Sequence, residues 1–242
     1  VILMNTVLIE KGSCKMVAHR GVSGLELENT CAAFVAAGVK SYYGIETDVH
    51  VTADGKFIVI HDDNTLRVSG YNKMVEQSTY DELRSIPLYG YDLYGSRSDL
   101  VLPDLLDYIR ICKRYGKKAV LELKNHMRAE HIAGIVSKIR SEAYLGMTVF
   151  ISFDWENLTA LRSMLPQQEI QFLTQRYDGD LVEALAANRF AIDIYYRALS
   201  KERIEALHAR GILVNCWTCD DKESAKALIA AGVDYLTTNI LE

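Results

Sequence analysis

Apolar, β-branched runs alternate with amphipathic stretches along almost the whole chain. Extended runs fall at 15–19, 43–49, 57–61, 118–124, 148–152, 170–174, 190–195, 212–217 and 235–239. Helical periodicity falls between most of them, at 30–38, 103–115, 127–143, 154–164, 179–188, 200–210 and 221–231. Pro103 sits at a first helical position, and Gly38, Gly116, Gly211 and Gly232 stand where helical patterns stop. Strands alternating with helices predict βα units on a parallel sheet.

Nine extended runs are one too many for an eight-stranded barrel. The link from Val51 to Phe57 contains Ala-Asp-Gly-Lys, a turn signal, and is too short for a parallel crossover. Residues 49–61 are therefore read as a β-hairpin rising from the second strand. With its returning arm set aside, eight parallel strands remain. The prediction is a (β/α)8 TIM barrel forming one domain over 1–242; a doubly wound open sheet is the alternative, because period alone does not fix closure. Segment 62–102 breaks the rhythm. It is polar, carries Tyr71, Tyr80, Tyr89, Tyr91 and Tyr94, and shows a capping box from Thr79 to Glu82. It is expected to be an insertion over one face, too poor in apolar residues for a core of its own.

Candidate chemistry collects at one end of such a barrel. Glu46 and Asp48 stand two apart and so share a strand face. His19 ends the first strand, and Glu122 and Lys124 end the third barrel strand on a common face. The hairpin returns His61 to nearly the height of Asp48. Three carboxylates at close range cannot all stay ionised without a cation. All-oxygen ligation suits Mg2+ or Ca2+ better than Zn2+. Two free imidazoles suit acid and base work near neutral pH, and Arg20 with Lys124 suits a phosphate. The implied chemistry is phosphoryl transfer or phosphodiester cleavage.

Composition narrows the partners. A net charge of −5 and a pI near 5.7 argue against a nucleic-acid or anionic-membrane surface. No apolar run reaches the roughly 18 residues of a membrane helix. Residues 1–15 show no basic start followed by a long apolar segment, so no intact signal peptide is read there. Five scattered cysteines, at 14, 31, 112, 216 and 219, suggest a reducing compartment rather than a disulfide framework. A cytoplasmic enzyme acting on a small molecule is expected. Cys216-x-x-Cys219 has no second pair and no redox-type helix start after it. His50, His126, His131 and His208 are read as surface or structural.

Together, His19-Arg20-Gly21, Glu28-Asn29-Thr30, Glu46-Thr47-Asp48, Asp54-Gly55 and His61-Asp62 resemble the glycerophosphodiester phosphodiesterase family. Leu-Glu-Leu-Lys at 121–124, Ser152-Phe153, the tryptophan segment 213–221 and the closing segment 230–239 extend the resemblance over 17–240. It implies a (β/α)8 barrel with an insertion after the second histidine. It implies one divalent cation on Glu46, Asp48 and Glu122, with His19 and His61 as acid and base. Arg20 and Lys124 would hold the phosphate, Glu28 would orient Arg20, and Asn29 would support the first loop. Trp217 is either core or a wall for the glycerol part. The implied reaction is hydrolysis of a glycerophosphodiester to glycerol 3-phosphate and an alcohol. Phospholipase D-like action on lysophospholipids and a non-catalytic phosphodiester-binding barrel are the alternatives. The chain departs from the family pattern at Leu27, where proline is usual, and at Asn239, where aspartate is usual.

Overall fold

The computed structural model describes residues 5–89 and 97–242. Its strands are β1 (Lys15–Ala18), β2 (Gly44–Val51), β3 (Phe57–Val59), β4 (Lys118–Leu123), β5 (Thr148–Ser152), β6 (Ile170–Thr174), β7 (Ala191–Tyr195), β8 (Val214–Trp217) and β9 (Tyr235–Thr238). Its α-helices are α1 (Cys31–Gly38), α2 (Leu66–Ser69), α3 (Tyr80–Arg84), α4 (Leu105–Tyr115), α5 (Ala129–Ser141), α6 (Trp155–Met164), α7 (Gly179–Asn188), α8 (Lys201–Ala209) and α9 (Lys222–Ala231). Every strand but β3 pairs in parallel, in the order β1-β2-β4-β5-β6-β7-β8-β9, and β9 returns to β1. The fold is a closed (β/α)8 barrel. The open-sheet alternative is thereby set aside.

β3 pairs antiparallel with β2, Val49 opposite Val59 and Val51 opposite Phe57. A tight turn at 52–56 closes the hairpin, with the Thr52 N–H donating to Lys56 O at 2.9 Å and Gly55 at φ +72. Glycine meets that left-handed backbone at little steric cost.

The barrel strands are apolar on both faces, as parallel strands buried on both sides must be. Val17, Val120, Val149, Ile151, Leu173 and Tyr235 fill the interior. Their neighbours, such as Met16, Leu121 and Phe150, pack outward with Phe34, Ile109, Ile135 and Leu158 of the helices. Side chains of Thr30, Asp104, Asp154, Asp178, Ser200 and Asp221 cap α1, α4, α6, α7, α8 and α9.

One expectation needs correction. Pro103 is not the first helical residue. Asp104 takes the N-cap in a capping box with Asp107, and the Pro103 carbonyl instead accepts the Val59 N–H at 2.9 Å. The proline thus lies beside β3, where its missing N–H is not needed. The insertion packs against the barrel. Val68, Val75, Leu83, Ile86, Leu88, Leu100 and Leu102 bury themselves against Ile58 and Ile60 of the hairpin arm and against Leu27. Seven scattered apolar residues suffice because the barrel supplies the other wall. This also accounts for Leu27, which is 4% exposed in that cluster.

Tyr108 of α4 is fully buried, and its phenol donates to Ile45 O at 2.7 Å and Val120 O at 3.2 Å. It ties α4 to β2 and β4, the two strands that carry the acidic residues. Tyr108→Phe keeps the packing and removes those bonds. It should cost about 1–2 kcal/mol and lower Tm by roughly 2–8 °C. Unchanged thermal unfolding would show that the phenol contributes nothing net.

Candidate active site

Strand geometry places the acidic residues. Glu46 and Asp48 project from the same inward face of β2, and the parallel register sets Asp48 beside Glu122 of β4. One oxygen from each of the three carboxylates can be chosen so that all lie within 4.8 Å of one another. All three side chains are buried. Burial, with Asp48 and Glu122 nearby, pushes the Glu46 carboxyl well above its ordinary value. Burial and Asp48 likewise push Glu122 up to about 8. Burial works on Asp48 in the same sense, but Lys124, His61, Arg20 and the Asn29 hydrogen bond outweigh it and hold that carboxyl well down.

The loop after β1 is shaped around this cluster. Arg20 adopts a left-handed backbone, φ 53, which aims its N–H at Glu46 Oε2 at 2.8 Å. Gly21 follows at φ +76, and a Cβ there would lie 2.6 Å from Ala33. Glycine alone fits this crowded turn. The Arg20 guanidinium donates from Nη1 to Glu28 Oε1 at 2.8 Å, and its Nε stands 3.8 Å from Asp48. Asn29 is also left-handed, at φ 54. Its amide donates to Asp48 Oδ2 at 2.8 Å and accepts the Thr47 hydroxyl at 2.7 Å. Thr30 caps α1. Glu28, Asn29 and Thr30 thus meet an arginine, a carboxylate and a helix end. Lys124 closes the group, 3.0 Å from Glu122 and 3.7 Å from Asp48.

The two imidazoles face the same cavity with different partners. His19 Nδ1 lies 2.7 Å from Asn239 Oδ1. The amide's orientation is fixed because its Nδ2 donates to Asp220 Oδ2 at 2.6 Å and a carboxylate only accepts. Nδ1 of His19 therefore carries a proton, and Nε2 keeps its lone pair. Burial and Arg20 push its pKa down to about 4. His61 Nδ1 instead meets the Asp62 carboxylate at 2.8 Å. Burial lowers this histidine too, against the opposing pull of Asp48 and Asp62. Arg67 grips Asp62 at 2.7 Å and Glu28 at 2.8 Å, linking the two loops.

An open cavity joins these parts. His19, Arg20, Glu46, His61 and Glu122 line one side, with Phe153, Asp193, Trp217 and Thr237 also in its wall. The Trp217 ring meets Phe153 edge-on at 5.7 Å, and its indole N–H donates to Asp193 O at 3.1 Å. The sequence patterns missed Asp193 and Arg67, and gave no role to Phe153. They also gave no partner to either imidazole, although Asn239 and Asp62 both sat in quoted motifs. Tyr71, Tyr80 and Tyr89 do not line this cavity; Tyr91 and Tyr94 lie outside the described residues. His50 is fully buried and lies 3.1 Å from Glu76 and 3.4 Å from the His61 carbonyl. Cys216 and Cys219 are free and buried, and burial pushes both thiols up, away from reactivity.

The donors fit a hard divalent cation. Among the described residues Asp48 Oδ1 is buried with no hydrogen-bond partner, and two of the three carboxyls are hard to ionise as they stand. A bound cation would satisfy the first and reverse the second.

Fold and sequence comparisons together define a (β/α)8-barrel phosphodiester hydrolase. The sequence profile of the glycerophosphoryl diester phosphodiesterase family matches residues 19–242, and the chain belongs to that family. YhdW of Bacillus subtilis is 30% identical over 93% of both chains. A glycerophosphodiester phosphodiesterase of Caldanaerobacter subterraneus is 28% identical over 93% of both. Among solved structures, a phosphodiesterase from Oleispira antarctica in complex with sn-glycerol-3-phosphate shares the fold with a TM-score of 0.85. It is 24% identical, over 93% of this chain and 92% of that one. Among the described residues, no helix is long and apolar enough to cross a membrane.

Asn29 is the polar anchor of the cluster. Asn29→Ala strips a hydrogen bond from Asp48 and another from Thr47, both buried. A loss of about 1–3 kcal/mol in denaturant unfolding is expected. Wild-type stability in the variant would contradict this role.

Proposed function

We propose that the chain hydrolyses glycerophosphodiesters to glycerol 3-phosphate and an alcohol. In this reading Glu46, Asp48 and Glu122 hold one divalent cation, Mg2+ or Ca2+. The carrying observation is that two imidazoles with unlike partners share one cavity with the acidic cluster. When bound, the cation would neutralise charge building on the phosphoryl oxygens.

The protein's own groups divide the remaining work. Arg20 and Lys124 bind the phosphate oxygens. Arg20 Nε is buried without a hydrogen-bond partner among the described residues. Glu28 holds that guanidinium in place. His19, kept neutral by its surroundings, offers Nε2 as the base that takes a proton from the nucleophile. The nucleophile is water, or the substrate's neighbouring hydroxyl, whose cyclic phosphate product water then opens with the two imidazoles in exchanged roles. His61, backed by the Asp62 carboxylate, is the better imidazolium and gives its proton to the leaving alcohol oxygen. The new P–O bond forms as the bond to the alcohol breaks, and each imidazole then exchanges its proton with water. Trp217 and Phe153 supply apolar wall for the rest of the substrate.

Residues 1–242 act as one catalytic domain in this account, with 62–102 as an insertion. Support comes from the insertion's apolar cluster, which borrows Ile58 and Ile60 from the hairpin. Five free thiols fit a reducing compartment and a cytoplasmic location. The acidic net charge favours a small-molecule partner over nucleic acid.

Release of glycerol 3-phosphate from glycerophosphocholine tests the reading. His19→Ala and His61→Ala should each lower kcat by roughly 10²-fold or more with the fold intact. Lysophosphatidylcholine and bis(p-nitrophenyl) phosphate should be poorer substrates by kcat/KM. Near-normal turnover in either variant would make that imidazole structural. A preference for the lysolipid would move the assignment to phospholipase D-like action.

A further inference from the structure

The reaction scheme leaves one carboxyl in the cavity without a task. Asp193 lies on β7, which is four strands from β2 in either direction round the barrel. It therefore stands across the cavity from the acidic cluster. Asp193 is 2% exposed, and its Oδ1 is buried without a hydrogen-bond partner among the described residues. Two nearby donors are already committed. The Trp217 indole N–H donates to the main-chain oxygen of Asp193, and the Thr237 hydroxyl donates to Asn215. Leu173 and Ile151 complete this part of the wall. Buried polar atoms are rarely left unpaired, because such atoms destabilise the fold. An unpaired one in a ligand cavity calls for a partner from outside the chain.

We propose that Asp193 receives a hydroxyl of the substrate's glycerol moiety and so makes the enzyme selective for diesters with free glycerol. This deepens the phosphodiesterase reading and rests on it. Arg20 and Lys124 anchor the phosphate on the β1, β2 and β4 side, so the remainder of the substrate extends toward β7. Glycerol is the part that all these diesters share, and it suits a closed, buried wall. The alcohol varies in size and suits the open rim, where Phe153 is 46% exposed. The chemistry of the wall favours a hydroxyl over a cationic head group. Burial, with no cation beside it, pushes the Asp193 carboxyl well up. An un-ionised carboxyl offers one donor and one acceptor, which a hydroxyl can satisfy together.

Wild type, Asp193→Asn and Asp193→Leu decide the matter. Substrates are glycerophosphocholine, glycerophosphoglycerol, and phosphocholine diesters of propane-1,2-diol and propane-1,3-diol. Asp193→Leu should lose about 10- to 100-fold in kcat/KM on both glycerol diesters. It should lose nothing further on the diol analogue lacking the recognised hydroxyl, which wild type already turns over slowly. Asp193→Asn keeps a donor and an acceptor and should stay within about 3-fold of wild type. Tm of Asp193→Leu should not fall, since an unpaired polar group has been replaced by an apolar one. Equal losses on all four substrates would show a structural role and overturn the proposal. So would a loss in Asp193→Asn confined to choline diesters, which indicates recognition of the cation. A wild type inactive on every glycerophosphodiester would instead overturn the reading beneath it.

Discussion

Three buried carboxyl groups with oxygens within 4.8 Å of one another are the constraint that organises this molecule. Charges of one sign cannot be taken out of water together without compensation. The fold compensates in part. Arg20 and Lys124 lie beside the cluster, and Asn29 and the Arg20 N–H donate to it. Those groups suffice to keep Asp48 ionised, while Glu46 and Glu122 remain pushed upward. The compensation is thus incomplete, and a divalent cation would supply what is missing.

The rest of the site is arranged around that cluster. Strands set which carboxylates meet, through the two-residue period of β2 and its register with β4. The loops after β1, β3 and β4 carry His19 and Arg20, His61, and Lys124. The turn after β1 depends on two left-handed residues, Arg20 and Asn29, and on a glycine with no room for a Cβ. Such backbone is tolerated where surrounding contacts over-determine it, and here each strained residue bonds to a carboxylate of the cluster. The imidazoles differ because their partners differ. A neutral amide holds His19, and a carboxylate clamped by Arg67 holds His61.

Much of this was legible in the sequence, and for a physical reason. Parallel barrel strands are apolar on both faces, so all nine extended runs stood out, and the short Asp-Gly turn separated the hairpin arm from the barrel strands. Glu46, Asp48, Glu122, His19 and His61 were placed together by strand period and hairpin register. Other features were not legible. Arg67 belongs to a four-residue helix with no periodic signal, and only the tertiary fold brings it to Glu28 and Asp62. Asp193 sits inside an apolar run, where a single carboxyl gives no hint that it faces a cavity rather than solvent. The insertion's packing was hidden because its apolar residues are scattered and its other wall is the barrel itself. Asn239 was noticed only as a departure, whereas the fold makes it the partner of His19.

Calorimetric titration of chelator-stripped protein with Mg2+ and with Ca2+, with Tm followed in parallel, tests the central claim most directly. One ion should bind per chain and raise Tm. Glu122→Gln should abolish both effects while the protein stays folded, because it removes a ligand and relieves the repulsion together. No ion binding to the wild-type protein, or a Tm indifferent to chelator, would contradict the account.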